Sequence, residues 1–201
     1  STQSTWGKEK MQRAKSILVS IVVVLVLGHS SANTGSAADA IKKSCSESRF
    51  PDVCFEVISP HLQTAFNNPK MMAVTAIDTA MQTTASVLTK VRLLQKSRRM
   101  TPRELAASGD CEELLDQSLY ELKNSLNEIK SAKKTGFRFM INNVQTWVSA
   151  ALTDDVTCTD GLDGKVHGDA ARQNLQGQVE HLAQLNSVAL EFINIYAASH
   201  D

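Results

Sequence analysis

Four cysteines are the side chains of this sequence best placed for chemistry, and the chemistry they suit is oxidation to disulfides. Cys45, Cys54, Cys111 and Cys158 form an even set, as expected of a chain that folds in an oxidising compartment. Spacing selects among the three possible connectivities. Cys45 and Cys54 flank a short stretch containing Pro51, a natural loop between two small helical pieces. A helix from Cys111 to residue 131 climbs about 30 Å, and a return helix over 137–153 descends about 25 Å. Four or five extended residues cover the remainder, so Cys158 arrives level with Cys111. No Cys-x-x-Cys pair and no histidine at ligand spacing accompanies the cysteines, which disfavours a metal site.

Other reactive side chains do not assemble into a recognisable set. The chain has no Gly-x-Ser-x-Gly, no His-Glu-x-x-His and no glycine-rich phosphate loop. His61, His167, His181 and His200 are scattered and read as solvent-facing. Asp154-Asp155 and Glu112-Glu113 have the composition of a glycosidase pair, but a solvated loop and an ordinary helix face account for them. No catalytic residue, metal or cofactor is expected, and the protein is not read as an enzyme.

The elements that hold these residues are helices. Apolar residues make up 42% of the 201 but aromatics only 5%, which favours interlocking helices over a β-sandwich. Residues 37–45 and 51–59 are short helical candidates in a stapled hairpin spanning about 37–60. Four longer segments follow over about 69–198, each with an apolar stripe of helical period. The first, opened by Pro69, carries Ile77, Ala80, Thr84, Val87, Val91 and Leu94. The second begins with a capping box at Thr101–Glu104 and carries Cys111, Leu115, Ser118, Leu122, Leu126 and Ile129. Gly109 weakens its first turns, so a start nearer Asp110 is the alternative. The third runs from about Phe137 to Leu152 with Met140, Val144, Trp147, Val148 and Ala151 inward, and 153–168 read as a loop. The last spans Ala171–Ala198. The fold expected is all-α: an up-down-up-down four-helix bundle with an N-terminal disulfide-stapled helical hairpin.

The first forty residues carry a different message. Lys8, Lys10, Arg13 and Lys15 precede an apolar run from Ile17 to Leu27, and Ser30-Ser31-Ala32 follow. That order describes a secretory signal peptide, over 11–32 if Met11 is the start, with 1–10 upstream. The run falls short of the roughly 20 apolar residues a bilayer crossing needs, so an uncleaved anchor is the second reading. Cleavage after Ala32 leaves a domain of 33–201 with 17 basic and 20 acidic residues, a net charge of about −3. Such a balance argues against nucleic acid as a partner and against direct grip on an acidic polysaccharide. No Asn-x-Ser/Thr acceptor is present.

Several segments together resemble the plant invertase and pectin methylesterase inhibitor family. Ile41–Ile58, IKKSCSESRFPDVCFEVI, is similar to that family's opening Cys-x8-Cys hairpin with its aromatic-Pro-Asp before the second cysteine. Asp110–Leu126 resembles the helix bearing the third cysteine. Asn143–Leu162, NVQTWVSAALTDDVTCTDGL, carries Thr-Trp-x-Ser-Ala-Ala-Leu-Thr ahead of the fourth, and Leu182–Ile193 is similar to the closing helix. The resemblance implies a secreted, non-catalytic apoplastic inhibitor with first-to-second and third-to-fourth disulfides. It implies pectin methylesterase as partner, with invertase as the alternative. Members of the invertase branch often carry Pro-Lys-Phe before the fourth cysteine, where this chain has Gly136-Phe137-Arg138-Phe139. No membrane contact is expected after signal cleavage.

The same resemblance implies where such a partner would be met. Positions flanking the third and fourth cysteines correspond here to Glu113, Gln117, Thr157 and Asp160, with Asp116 as a weaker addition. The outer face of the first long helix, with Thr75, Asp78, Thr79, Gln82 and Ser86, is a second and weaker candidate surface.

Overall fold

Each long helix opens where the sequence supplies a start signal. The computed structural model describes residues 38–96, 100–131, 136–163 and 170–200, so the signal-peptide expectation and His167 lie outside the described residues. Helix α1 occupies 38–45. Helix α2, Pro51–Ile58, runs into a 3-10 turn at Ser59–His61, and α3 (Pro69–Lys96), α4 (Pro102–Ser131), α5 (Phe137–Leu162) and α6 (Ala170–Ala198) follow. Proline stands first in α2, α3 and α4, where its missing N–H removes no helical bond. Among the described residues there is no strand, and no helix is long and apolar enough to cross a membrane.

A capping box fixes the start of α4, and a left-handed glycine stands at the start of α5. The Thr101 N–H donates to Glu104 Oε2 at 2.7 Å while Thr101 Oγ1 accepts the Glu104 N–H at 3.3 Å, a reciprocal capping box that satisfies two otherwise orphaned donors. Helix α4 therefore begins ahead of Gly109 rather than after it. Gly136 precedes α5 at φ +93°, a left-handed conformation that favours glycine. The two glycines are thus expected to respond oppositely to alanine. Gly109→Ala, whose added Cβ meets nothing within 4 Å, should raise stability by about 0.5–1 kcal/mol, whereas Gly136→Ala should lower it by about 1–2 kcal/mol. Urea midpoints measure both, and equal signs would refute the backbone assignment.

The four long helices close a ring within the compact unit Ile41–Asp201. Helix α3 packs on α4, α4 on α5, α5 on α6 and α6 back on α3. Each neighbouring pair is antiparallel. Arg92 near the end of α3 reaches Glu112 early in α4, Cys111 bonds Cys158 late in α5, Gln145 meets Asn194, and Lys90 meets Gln178. This is the expected up-down-up-down bundle, and its apolar stripes interleave. Ile77, Ala80, Val87 and Val91 of α3, Leu115, Leu122 and Ile129 of α4, Val144 and Val148 of α5, and Val179, Leu182 and Ile193 of α6 are all buried. The arm is stapled by Cys45–Cys54 and packs through α2 against α3 and α6. Glu191 of α6 holds its turn, accepting from Ser48 Oγ at 2.5 Å and the Arg49 N–H at 3.0 Å.

Two expectations need correction. Residues 153–162 are not a loop, because α5 continues without a break to Leu162. Threonine, aspartate and glycine there lower local helix propensity, but Ala151, Asp155, Cys158 and Leu162 fall at 4-3-4 spacing and are all buried. The threonine hydroxyls turn back onto the helix, Thr153 to Ser149 O at 2.9 Å, Thr157 to Thr153 O at 2.7 Å and Thr159 to Asp155 O at 2.9 Å, so they do not compete with it from outside. Trp147, placed inward from sequence, is only half-buried. It lies 100° around the helix from the buried Val148, at the border of the stripe.

Candidate functional site

The second disulfide organises the candidate surface. Cys111 and Cys158 have Cα atoms 4.6 Å apart, which sets the N-terminal half of α4 beside the last turns of α5. Glu113 and Gln117 on α4, and Thr157 and Asp160 on α5, are all exposed at that level. Glu113 and Gln117 are one turn apart on one face, and Thr157 and Asp160 share a face of α5. At 100° per residue, Glu113 and Gln117 lie about 200° and 240° around α4 from Cys111. They point away from the staple rather than clustering beside it. Thr157 and Asp160 belong to helix, not to a clamped loop. Among the described residues Glu113, Gln117 and Asp160 have no hydrogen-bond or ion-pair partner, so their polar ends remain available.

Asp116 behaves differently, and the reason is a residue that sequence reasoning missed. Arg92 of α3 reaches across with Nε to Glu112 Oε1 at 2.7 Å and Nη2 to Asp116 Oδ2 at 2.5 Å. The bond to Arg92 holds the Glu112 carboxyl below the usual carboxylate range, against a smaller opposing effect of burial. The guanidinium is in turn raised, first by Glu112. Such an exposed pair adds little stability. Its effect is to commit Asp116 to an intramolecular partner and leave Glu113 as the unpaired carboxylate on that turn. An arginine 20 residues before Glu112 carries no sequence signal of this contact, because it depends on how α3 and α4 are juxtaposed.

The weaker surface on α3 is partly internal. Thr75 is buried at 9% exposure, Asp78 and Thr79 are half-buried, and only Gln82 and Ser86 are exposed. Thr75 follows Val74 and precedes Ala76, both also buried. Thr75, Asp78, Thr79 and Gln82 line a groove of about 300 Å³ that Lys130 and His61 complete from α4 and the 3-10 turn, while Ser86 stands outside it. Within the groove Gln82 Nε2 donates to Asp78 Oδ2 at 2.7 Å. Lys130 and Glu113 are 17 residues apart on α4, about 25 Å along the axis. The two surfaces therefore lie toward opposite ends of the bundle, within the reach of one interface only if a partner runs along it.

An acidic group inside the bundle was also missed. Asp155, expected in a solvated loop, has 0% exposure and accepts from Asn186 Nδ2 at 2.6 Å. Burial drives its carboxyl up to about 7. Glu121, half-buried on α4, is likewise pushed up to about 7 by burial and then by Asp154. Of the histidines, His61 and His200 are exposed, and His181 Nε2 lies 3.5 Å from Glu56 Oε1. His200 stacks on Phe137 at a centroid distance of 4.1 Å. Among the described residues no three His, Cys, Asp or Glu side chains are grouped to hold a metal ion.

Comparison with known proteins adds to this geometry. The sequence profile described as plant invertase/pectin methylesterase inhibitor matches residues 39–192. A carrot (Daucus carota) protein named only as a 21 kDa protein is 36% identical over 94% of this chain and 99% of its own length. Pectinesterase inhibitor 9 of Arabidopsis thaliana is 32% identical over 90% of this chain and 92% of its own. Among solved structures, a mutant form of a pectin methylesterase inhibitor from Arabidopsis superposes with a TM-score of 0.64 at 19% identity, over 77% of this chain and 95% of that one. At that identity the likeness speaks for the fold.

Proposed function

Since the chain belongs to the plant invertase/pectin methylesterase inhibitor family, we propose that it is a non-catalytic inhibitor of pectin methylesterase that blocks the enzyme's cleft by reversible, stoichiometric docking. The observation that carries this reading is the set of exposed, unpartnered polar groups, Glu113 with Gln117 on α4 and Asp160 on α5, at the level where the two helices are locked together by Cys111–Cys158. A covalently fastened helix pair loses little conformational freedom on docking, so more of the contact energy appears as affinity. The inhibitor thereby limits de-esterification of pectin in the cell wall. The test is a titration of ester hydrolysis by plant pectin methylesterases with the purified protein between pH 5 and 7. Sucrose hydrolysis by invertase, run beside it, measures the alternative target. Inhibition of invertase alone, or of neither enzyme, would reject the proposal.

The surface has its own prediction. Glu113→Lys with Asp160→Lys should weaken inhibition at least about tenfold, about 1.4 kcal/mol, while helical signal and melting temperature stay nearly unchanged. Charge reversal is the informative change because rim charges tune association and its salt dependence. Inhibition unaltered in that double variant removes these residues from the interface. Secretion is part of the same proposal: residues 11–32 act as a signal peptide, and 33–201 are the mature inhibitor domain. Mass spectrometry of the protein from plant tissue should find an N-terminus near Asn33, and a species retaining Ile17–Leu27 would make it an anchored molecule.

A further inference from the structure

The junction of α4, α5 and α6 holds more acceptors than donors. Asn186 Nδ2 donates to Asp155 Oδ2, but Asp155 Oδ1, Asn186 Oδ1, Ser118 Oγ and Glu121 Oε2 are buried without a hydrogen-bond partner. An ionised carboxylate can only accept, as can an amide oxygen, so charging Asp155 adds nothing that these orphaned oxygens need. A proton on Asp155 converts one acceptor into a donor. Ser118 lies close enough to influence the carboxyl's charge, but its Oγ is in bonding geometry with no partner and its O–H is itself a donor, so the oxygens that lack a donor are Asp155 Oδ1 and Asn186 Oδ1. Asp155, Ser118 and Asn186 each have 0% exposure, so water does not compensate from outside.

The charges facing Asp155 favour the same outcome. Asp154 on its own helix and Glu121 on α4 are both acidic, α6 offers the neutral Asn186, and the buried residues of α3 include no titratable side chain. Among the described residues, no cation is among the groups that shift its charge. We propose that Asp155 is a proton-binding site within the bundle, whose neutral carboxyl supplies the donor that the Asn186 amide oxygen lacks and fastens α5 to α6 in acid.

Burial, opposed by the bond from Asn186 and by the nearby Ser118 hydroxyl and reinforced by Asp154 and Glu121, raises this carboxyl from the ordinary 3.8 to about 7. The folded protein then holds a proton that the unfolded chain has released between about pH 4 and 7. Stability contributed by this site is complete below the unfolded value and is lost as pH rises through the folded one. The direction is opposite to that of an acid stabilised by a salt bridge.

The experiment is equilibrium unfolding of the full chain from pH 4.5 to 8.5, for the parent, Asp155→Asn and Glu121→Gln, with a carboxyl carbon NMR titration of Asp155 in the parent. Between pH 5 and 7 each unit rise in pH should raise the unfolding constant by up to about tenfold, as the stabilisation supplied by the Asp155 proton is lost. Asp155→Asn, neutral at every pH, should lose that component and equal or exceed the parent's stability at pH 8. Glu121→Gln should retain it, and the NMR midpoint should fall near 7. A parent-like pH slope in Asp155→Asn, or an Asp155 carboxyl that titrates below pH 5, overturns the proposal. The NMR titration decides alone if the variant does not fold.

Discussion

Replacing Cys111 and Cys158 together by alanine should lower stability by about 4 kcal/mol, against about 2.7 kcal/mol for Cys45 and Cys54, on the chain-entropy model of a cross-link. The difference follows from the closed loops, since the sequence separations are 47 and 9. Native packing points the same way. The longer bridge joins two long helices of the bundle, α4 and α5, whereas the shorter closes the arm. Both bridges are buried, so alanine, which leaves no polar group unsatisfied, is the cleaner replacement. For a chain of this length, about 2–4 °C per kcal/mol converts the larger loss into a fall of about 8–16 °C in Tm. Calorimetry of the two double variants measures the order. A smaller loss at the Cys111–Cys158 pair would show that contacts in the reduced, unfolded chain outweigh loop entropy.

Leu122→Ala is the second large effect, with an expected loss of about 2–5 kcal/mol. Leu122 sits in the centre of the α4 stripe at 0% exposure, whereas Leu93, the control, is 61% exposed on α3. The same truncation at Leu93 should stay within about 0.5 kcal/mol. Both remove the same atoms from helices of similar length, so the difference isolates burial and the cavity left behind. Urea unfolding should move the midpoint for Leu122→Ala without changing the m-value. A loss under about 1 kcal/mol there would mean that the bundle collapses around the cavity and that its core is loosely specified.

These two expectations separate stability from the proposed docking surface. Glu113, Gln117, Thr157 and Asp160 are exposed, so changing them tests recognition with little effect on folding. Asp155 and Asn186 have 0% exposure and test folding first. A variant series that kept these sets apart would separate effects on recognition from effects on folding.

Much of this architecture was legible in the sequence. The stripes from Ile77 to Leu94 and from Cys111 to Ile129 fixed two long helices and their inward faces, because side chains three and four residues apart necessarily share a helix face. Thr101-Pro102-Arg103-Glu104 announced the start of α4, because a capping box is a local hydrogen-bond circuit. Other features were decided between helices. The last ten residues of α5 read as loop by composition, and they are helical because Asp155, Cys158 and Leu162 each find a place in the core. Arg92 joins Glu112 and Asp116 only because α3 and α4 are neighbours. Asp155 is by type a surface residue, and it is interior because Asn186, 31 positions later, supplies a donor from α6. Periodicity and capping act over a few residues and are written in one dimension. Desolvation and the pairing of buried polar groups depend on which helices meet, so the tertiary structure alone settled them.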